Sequence, residues 1–219
     1  MITIKGRITF TEEVLGTANA DREIHSEFIA SKAPDAPSRE EEVEALGADE
    51  VERKEMTVFP RDEGGDPMFW DYQLKGFFKD ACGALRKVTK SECSKVKAFK
   101  KEIDGLVFIE PRKIKIHIPD GKEMGDCQRP LRASTAQGER VALANSETVP
   151  AGSWCDVEIT VLKDDLVKMV KECLAYGKLK GIGQWRNSSK GRFVFELSEE
   201  SKDEFALWCG DDLRRRRLV

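Results

Sequence analysis

The sequence is poor in the features that mark several common classes of protein. No apolar run approaches the roughly 18 residues that would span a bilayer, and the N-terminus lacks the apolar region of a signal peptide. Six cysteines are scattered without a C-x-x-C pair, which argues against a structural zinc site and a disulfide framework. Only His25 and His117 are available for histidine-based metal or acid–base sites. We therefore expect a reduced, cytoplasmic, globular protein that has no cofactor, no metal site and no membrane partner.

One stretch lacks acidic residues altogether. Residues 177–193 (GKLKGIGQWRNSSKGRF), here called the glycine-rich loop, combine four glycines with five cations. Glycines let a backbone turn through positive φ, amides exposed in this way bind anions, and the cations add long-range attraction. The stretch therefore indicates a phosphate or nucleic-acid surface. The alternative is a helix that ends at Gly177 and is followed by a solvated hairpin.

Charge is segregated along the chain, although the net charge of the 219 residues is only −3. Residues 35–66 contain twelve acids and four bases, whereas residues 86–101 contain seven bases and one acid. Blocks of one sign are often solvated faces. The alternative interpretation is a basic groove with acidic segments that cover it or repel the wrong partners.

Alternating and clustered apolar residues predict the strands. Apolar and polar residues alternate from Ile2 to Phe10, which predicts a half-buried strand with a bulge at Gly6. The segments at 56–59 and 68–70 flank a stretch with the composition of a hairpin turn. Further strands are predicted at 106–109, 114–118, 154–161 and 192–197.

Two segments have the spacing of core helices. Apolar residues from Leu74 to Leu85 recur on a single helical face, and Asp71 is the expected N-cap. A second helix is expected to follow a cap at Asp164 or Asp165 and to end at Gly177.

This order of elements predicts an α+β fold built on a ferredoxin-like, RRM-like β-α-β-β-α-β core. A single elaborated domain over residues 1–219 fits the length better than two small domains. Within it we expect an acidic insertion at 17–55, a protruding loop or hairpin at 119–150, and a C-terminal helix with a basic tail at 198–219.

Two stretches resemble signatures of the CRISPR-associated RAMP superfamily. The first combines residues 57–67 (TVFPRDEGGDP) with residues 72–81 (YQLKGFFKDA), and the second combines residues 181–186 (GIGQWR) with residues 190–193 (KGRF). The chain departs from the family pattern at Tyr72 and Gln73, where a serine pair is usual. It departs again where Asn187 to Ser189 occupy part of the glycine loop. The resemblance implies an RRM-like, RNA-binding protein of antiviral defence. The members closest in layout polymerise along guide RNA as the backbone of effector complexes.

The candidate RNA-binding residues lie in the first helix, the 119–150 segment and the glycine-rich loop. A solvated lysine, a residue packed on the sheet and a flexible exposed loop are the alternatives for these positions. The candidates are Lys75, Lys79, Arg129, Arg132, Lys180, Trp185, Arg186, Lys190 and Arg192. Arginines suit such a role because their planar group pairs with phosphate oxygens, and a tryptophan stacks on a base. Arg186 and Arg192 flank a turn, which predicts that both reach one stretch of phosphate backbone.

Three functions follow from these observations. The first is a binding module for single-stranded RNA, with guide RNA, further copies of the chain or CRISPR effector subunits as partners. The second is a mimic or inhibitor of a CRISPR backbone subunit that acts through protein–protein contacts. The third is a metal-dependent ribonuclease that uses acids of the insertion such as Asp35 or Asp49. The sequence disfavours this enzyme because it has no paired-carboxylate or histidine spacing for acid–base chemistry.

Overall fold

The computed structural model describes residues 1–19, 56–135 and 138–202. Most of the predicted acidic insertion, including Asp35 and Asp49, therefore lies outside the described residues, as does the basic tail. The described strands are β1 (Ile2–Phe10), β2 (Val14–Leu15), β3 (Ala18–Asn19), β4 (Thr57–Val58), β5 (Met68–Trp70), β6 (Val107–Glu110), β7 (Lys113–Lys115), β8 (Gly125–Thr135), β9 (Gly138–Val149), β10 (Trp154–Val161) and β11 (Phe193–Lys202). The described α-helices are α1 (Asp71–Leu85), α2 (Glu92–Lys95), α3 (Phe99–Leu106) and α4 (Asp164–Tyr176).

A four-stranded sheet forms the centre of the fold. Its strands lie in the order β11-β1-β10-β6, and every neighbouring pair is antiparallel. Helix α1 lies between β1 and β6 in the chain, and α4 connects β10 to β11. This order of strands and helices is the ferredoxin-like β-α-β-β-α-β arrangement, so the predicted fold is confirmed.

The core lies between one face of this sheet and the two long helices. Ile4, Ile8 and Phe10 of β1 are buried, whereas Arg7 is exposed, as expected of a strand with one face toward the core. The buried residues of the helices are Leu74, Phe77, Phe78, Ala81 and Cys82 of α1, and Leu166, Val167, Met169, Val170, Cys173 and Leu174 of α4. Each large apolar side chain contributes about 1.5–3 kcal/mol by leaving water. The predicted bulge is confirmed, because the register of β1 against β11 shifts between Lys5 and Gly6.

Four of the five described cysteines, Cys82, Cys93, Cys155 and Cys173, belong to the core. Five are described, all five are free, and four of them are buried. Burial raises the pKa of the Cys155 thiol to about 12, which keeps this thiol protonated and unreactive at neutral pH.

Both helices begin slightly earlier than predicted, by one residue for α1 and by one or two residues for α4. Trp70 is the N-cap of α1, and its backbone N–H donates to Oε1 of Gln73 at 2.8 Å. Lys163 is the N-cap of α4, and Asp164 and Asp165 lie in its first turn. The acids at these helix starts, including Asp71, therefore act as charges near the positive ends of the helices. Gly177 is the C-cap of α4, as predicted.

A second sheet contains a long hairpin. Strands β8 and β9 pair from Gly125 opposite Thr148 to Thr135 opposite Gly138, so the 119–150 segment is largely a β-hairpin. Strand β9 also pairs with β2 and with β4. The turn at 60–67 is closed by a bridge between Arg61 and Pro67, but the flanking strands enter different sheets, since β5 pairs with β7.

The C-terminal part of the described chain is a strand where a helix was predicted. Strand β11 continues through Ser198 and pairs with β1 as far as Lys202 opposite Ile2. The backbone hydrogen bonds to β1 fix these residues in the sheet, and such tertiary pairing overrides local helix preference. Within residues 1–19, 56–135 and 138–202, no helix is long and apolar enough to cross a membrane.

Candidate nucleic-acid interface

The outer side of α1 forms one wall of a surface cavity of about 820 Å³. Gly76, Lys79, Asp80 and Gly83 follow one another at helical spacing, so they share the face opposite the buried one, and Lys87 follows just after the helix ends. The remaining lining residues are Ala84 of α1, Phe99 and Lys100 of α3, and Lys180 of the glycine-rich loop. The amphipathic pattern that builds the core therefore also aligns the cations on this face.

A second cavity of about 360 Å³ adjoins the first, because Lys180 lines both. The other residues that line it are Arg129 of β8 and Gly183, Gln184, Trp185, Arg186 and Asn187 of the glycine-rich loop. Together the two cavities form a surface that we call the basic groove. Among the described residues, its lining contains six cations, Lys79, Lys87, Lys100, Arg129, Lys180 and Arg186, and one acid, Asp80.

Asp80 connects the helix to the loop. Its Oδ2 accepts a hydrogen bond from Nη1 of Arg186 at 2.6 Å and lies 3.2 Å from Nζ of Lys180. These pairs hold two loop cations against α1 and offset part of their charge.

Asp104 plays a similar part at the contact between α1 and α3. Nζ of Lys79 lies 2.5 Å from Oδ1 of Asp104, and Nζ of Lys75 donates to the backbone oxygen of Asp104 at 3.2 Å. Lys75 also lies 5.1 Å from the ring of Phe108. The first helix therefore presents Lys79 to the groove, whereas Lys75 binds to α3 and the edge of the sheet.

The glycines of the loop serve close packing. A Cβ at Gly181 would lie 2.2 Å from the backbone carbon of Gly191. A Cβ at Gly191, whose φ is +70°, would lie 1.9 Å from the oxygen of Ile182. The Ile182 amide donates to Gly191, and the Gly191 amide donates to Glu13. The loop is therefore held in one shape, and it offers side chains to a ligand.

The structure brings together five of the nine predicted site residues. Lys79, Arg129, Lys180, Trp185 and Arg186 line the groove. Lys75, Lys190 and Arg192 are not among the described residues that line it. Lys75 binds to α3 as described above, and Lys190 forms an ion pair with Glu13. The backbone oxygen of Arg192 accepts a hydrogen bond from the backbone N–H of Thr11. Arg132 lies on β8, and its side chain is outside the described part of the structure. Arg186 lines the groove and Arg192 is not among its described lining residues, so a joint contact of both with one phosphate backbone stays a prediction.

Sequence reasoning did not select Lys87, Lys100, Asp80 or Gln184. Lys87 and Lys100 belong to the basic block at 86–101, and this concentration of positive charge is the sequence feature that could have identified them. Among the described residues neither lysine has an ion-pair partner. No local sequence pattern identifies Asp80 or Gln184, because each forms its hydrogen bond with a residue far away in the sequence.

The face of the central sheet opposite the helices, here called the open face, is acidic. Its cross-strand rows contain Glu110, Asp156, Glu158, Glu196 and Glu199 against Lys5 and Arg7. Arg7 binds Asp156 through two hydrogen bonds of 2.8 and 3.0 Å, and this contact lowers the pKa of Asp156. A cavity of about 690 Å³ opens on this face. In the part of the chain that is described, no group of three or more histidines, cysteines or acids is arranged to hold a metal ion.

Comparison with solved structures supports the fold. A chain in the cryo-EM structure of the type III-B Cmr-beta bound to cognate target RNA is similar with a TM-score of 0.52 and 11% identity. The match covers 91% of this chain and 60% of that chain, so this protein spans about three fifths of that relative. The crystal structure of Cmr6 from Pyrococcus furiosus has a TM-score of 0.44 and 12% identity, over 90% of this chain and 99% of that one. Comparisons with protein-family models and with curated proteins give no match. The likeness to the first structure shows the fold alone.

Proposed function

We propose that this protein binds single-stranded RNA along the basic groove, as a RAMP-like protein without catalytic activity of its own. The observation that carries the proposal is the alignment of six cations on two adjoining cavities, from α1, the segment after it, α3, β8 and the glycine-rich loop. Proteins that hold single strands combine a positive groove along the backbone with aromatic rings that stack on bases. Trp185, 40% exposed at the end of this groove, supplies such a ring.

The charge of the open face supports the groove as the binding surface. RNA-recognition modules stack bases on aromatic residues of their sheet. Here the corresponding face has five acids and two bases, and Trp154 is already covered by His117, which stacks on it at 5.3 Å. Repulsion by these carboxylates disfavours a polyanion on the sheet. The RNA therefore follows the helix side of the domain.

The sequence resemblance and the fold are the basis for proposing binding partners as well. The RNA is a guide RNA, and further copies of the chain or CRISPR effector subunits bind beside it in the cytoplasm. The similar chain comes from a type III-B assembly described as bound to cognate target RNA, which supports this direction.

The test is the salt dependence of binding to a fluorescently labelled oligouridylate, followed by anisotropy. Each phosphate neutralised on a single strand contributes about −0.7 to the slope of log K against log salt. If all six groove cations contact phosphates, the expected slope is about −4. If only Lys87, Lys100 and Arg129 do so, because the others are held in ion pairs, it is about −2. A slope near zero contradicts the proposal.

The acidic open face favours one second candidate, a mimic of a CRISPR backbone subunit that acts through protein contacts. Its carboxylates border the cavity of about 690 Å³, where Arg112 and Lys5 are the cations. This function predicts no copurified nucleic acid and inhibition of a reconstituted effector complex. Glu110→Lys with Glu158→Lys would relieve that inhibition, whereas the RNA-binding function predicts that these changes do not weaken RNA binding.

A further inference from the structure

Arg129 is a buried arginine whose hydrogen bonding is incomplete. Its residue is 8% exposed on β8, and Nη2 donates to Oε1 of Gln184 at 2.7 Å. Its Nε and Nη1 atoms are closed to solvent, and no described residue forms a hydrogen bond with either of them. Buried polar groups in proteins are nearly always paired, and an unpaired one carries the full cost of its desolvation. The position therefore holds two donors of a charged group that the protein itself does not satisfy.

The chain contains a completed version of the same arrangement. The guanidinium of Arg7 lies 5.3 Å from the ring of Trp154, and that of Arg129 lies 5.3 Å from the ring of Trp185. Arg7 also forms two hydrogen bonds to the carboxylate of Asp156. At Arg129 the aromatic ring is present, and no described acid pairs with the guanidinium. A group with anionic oxygen acceptors would pair with Arg129 as Asp156 pairs with Arg7.

The surroundings of Arg129 fit a phosphate group. The cavity of about 360 Å³ is within the usual size of small-ligand sites. Lys180 and Arg186 add positive charge, Asn187 adds an amide, and the described residues that line this cavity include no acid. Trp185 covers the guanidinium from a left-handed backbone conformation with φ of +51°, which is unfavourable for a residue with a side chain. Because Trp185 has a strained backbone and lies over unpaired hydrogen-bond donors, it is suited to move when a ligand supplies hydrogen-bond acceptors.

We propose that Arg129, beneath Trp185, is a phosphate-binding subsite at the end of the basic groove. The phosphate belongs to the RNA strand, so the inference rests on the proposed function and specifies its strongest contact. Trp185 shifts from the guanidinium as the phosphate oxygens bind Nε and Nη1. The same chemistry suits an internal phosphodiester or a terminal phosphate, and the experiment below separates these sources.

The first test compares Arg129→Met with the matched control Arg7→Met. In Arg129→Met we expect oligouridylate affinity to fall about fivefold or more at 0.1 M salt and the salt slope to shrink by about 0.7. The melting temperature should be equal to or above that of the wild type, because two unpaired buried donors are removed. Arg7→Met should leave affinity unchanged. A lower melting temperature with unchanged affinity in Arg129→Met would overturn the subsite.

A second measurement follows Trp185 and does not use Arg129→Met, so that it does not depend on how that variant folds. Trp185 emission, taken as the difference between wild type and Trp185→Phe, should change on saturation with oligouridylate. An unchanged emission contradicts movement of Trp185 and overturns the proposal. An oligouridylate with a 5′-phosphate that binds more tightly than its 5′-hydroxyl twin assigns the subsite to a terminal phosphate, and equal affinities assign it to the backbone.

Uridine monophosphate separates failure of the subsite from failure of the proposed function. If wild type binds no oligouridylate, the groove proposal fails. The subsite then stands only if the mononucleotide still changes Trp185 emission in wild type and not in Arg129→Met. If oligouridylate binds and Lys87→Ala weakens it while Arg129→Met does not, the subsite alone fails.

Discussion

Removal of Lys87 and Lys100 is the change that isolates the groove most cleanly. Both side chains line the larger cavity, one from the segment after α1 and one from α3. Among the described residues neither takes part in an ion pair, so their removal leaves no acid without its partner. The double variant Lys87→Ala with Lys100→Ala should therefore fold normally, within the roughly ±0.5 kcal/mol typical of exposed sites.

The expected loss follows from counterion release. Two contacts account for a change of about 1.4 in the salt slope, which corresponds to about a 25-fold loss of affinity at 0.1 M salt. The assay is anisotropy with labelled oligouridylate at several salt concentrations between about 0.05 and 0.3 M, a range over which slopes of this size are measurable. Affinities of the two proteins should converge as salt rises.

Lys5→Ala with Lys202→Ala is the matched control. It removes the same charge from the central sheet, where Lys5 lies on β1 and Lys202 on β11. The control should keep the wild-type slope, because these lysines do not line the groove. An equal loss of affinity in both double variants would refute the reasoning, since it would mean that RNA responds only to net charge.

Two further predictions concern the loop and the absence of catalysis. Gly191→Ala should lower the free energy of unfolding by about 2 kcal/mol or more, because its Cβ would meet the Ile182 oxygen at 1.9 Å. Gly105→Ala on α3 is the control, because its new Cβ meets open space. A thermal melt should show that this variant is as stable as the wild type or more stable. An equal loss of stability in both variants would contradict the packing role of Gly191. Labelled RNA incubated with Mg²⁺ or Mn²⁺ should stay intact. Metal-dependent fragments that disappear in Asp35→Ala or Asp49→Ala would instead establish the ribonuclease.

The central fold could be predicted from the sequence because its elements have a strong hydrophobic period. The alternation from Ile2 to Phe10 and the apolar face of α1 both correspond to buried residues of the core. Prediction was weaker where residues pair with distant parts of the chain. Strand β11 extends past Leu197 because β1 offers backbone partners, a fact that no local pattern contains. The hairpin of β8 and β9 has polar strands, so it lacked a clear period.

The site was predicted in part for the same reason. Lysines and arginines of the loop and of α1 were visible as charge, and several of them line the groove. Their partners were not visible, since Asp80 and Arg186 are 106 residues apart in the sequence. The incomplete hydrogen bonding of Arg129 depends on how β8 packs against the loop. Such a property exists only in the folded chain.

The most direct test of the groove is photocrosslinking of 4-thiouridine RNA to the protein, followed by mass spectrometry of the linked peptides. The account predicts crosslinks within residues 76–100 and 177–193, which contain all the groove cations except Arg129, and their loss in Lys87→Ala with Lys100→Ala. Crosslinks confined to β1, β10 and β11 on the acidic open face would contradict it.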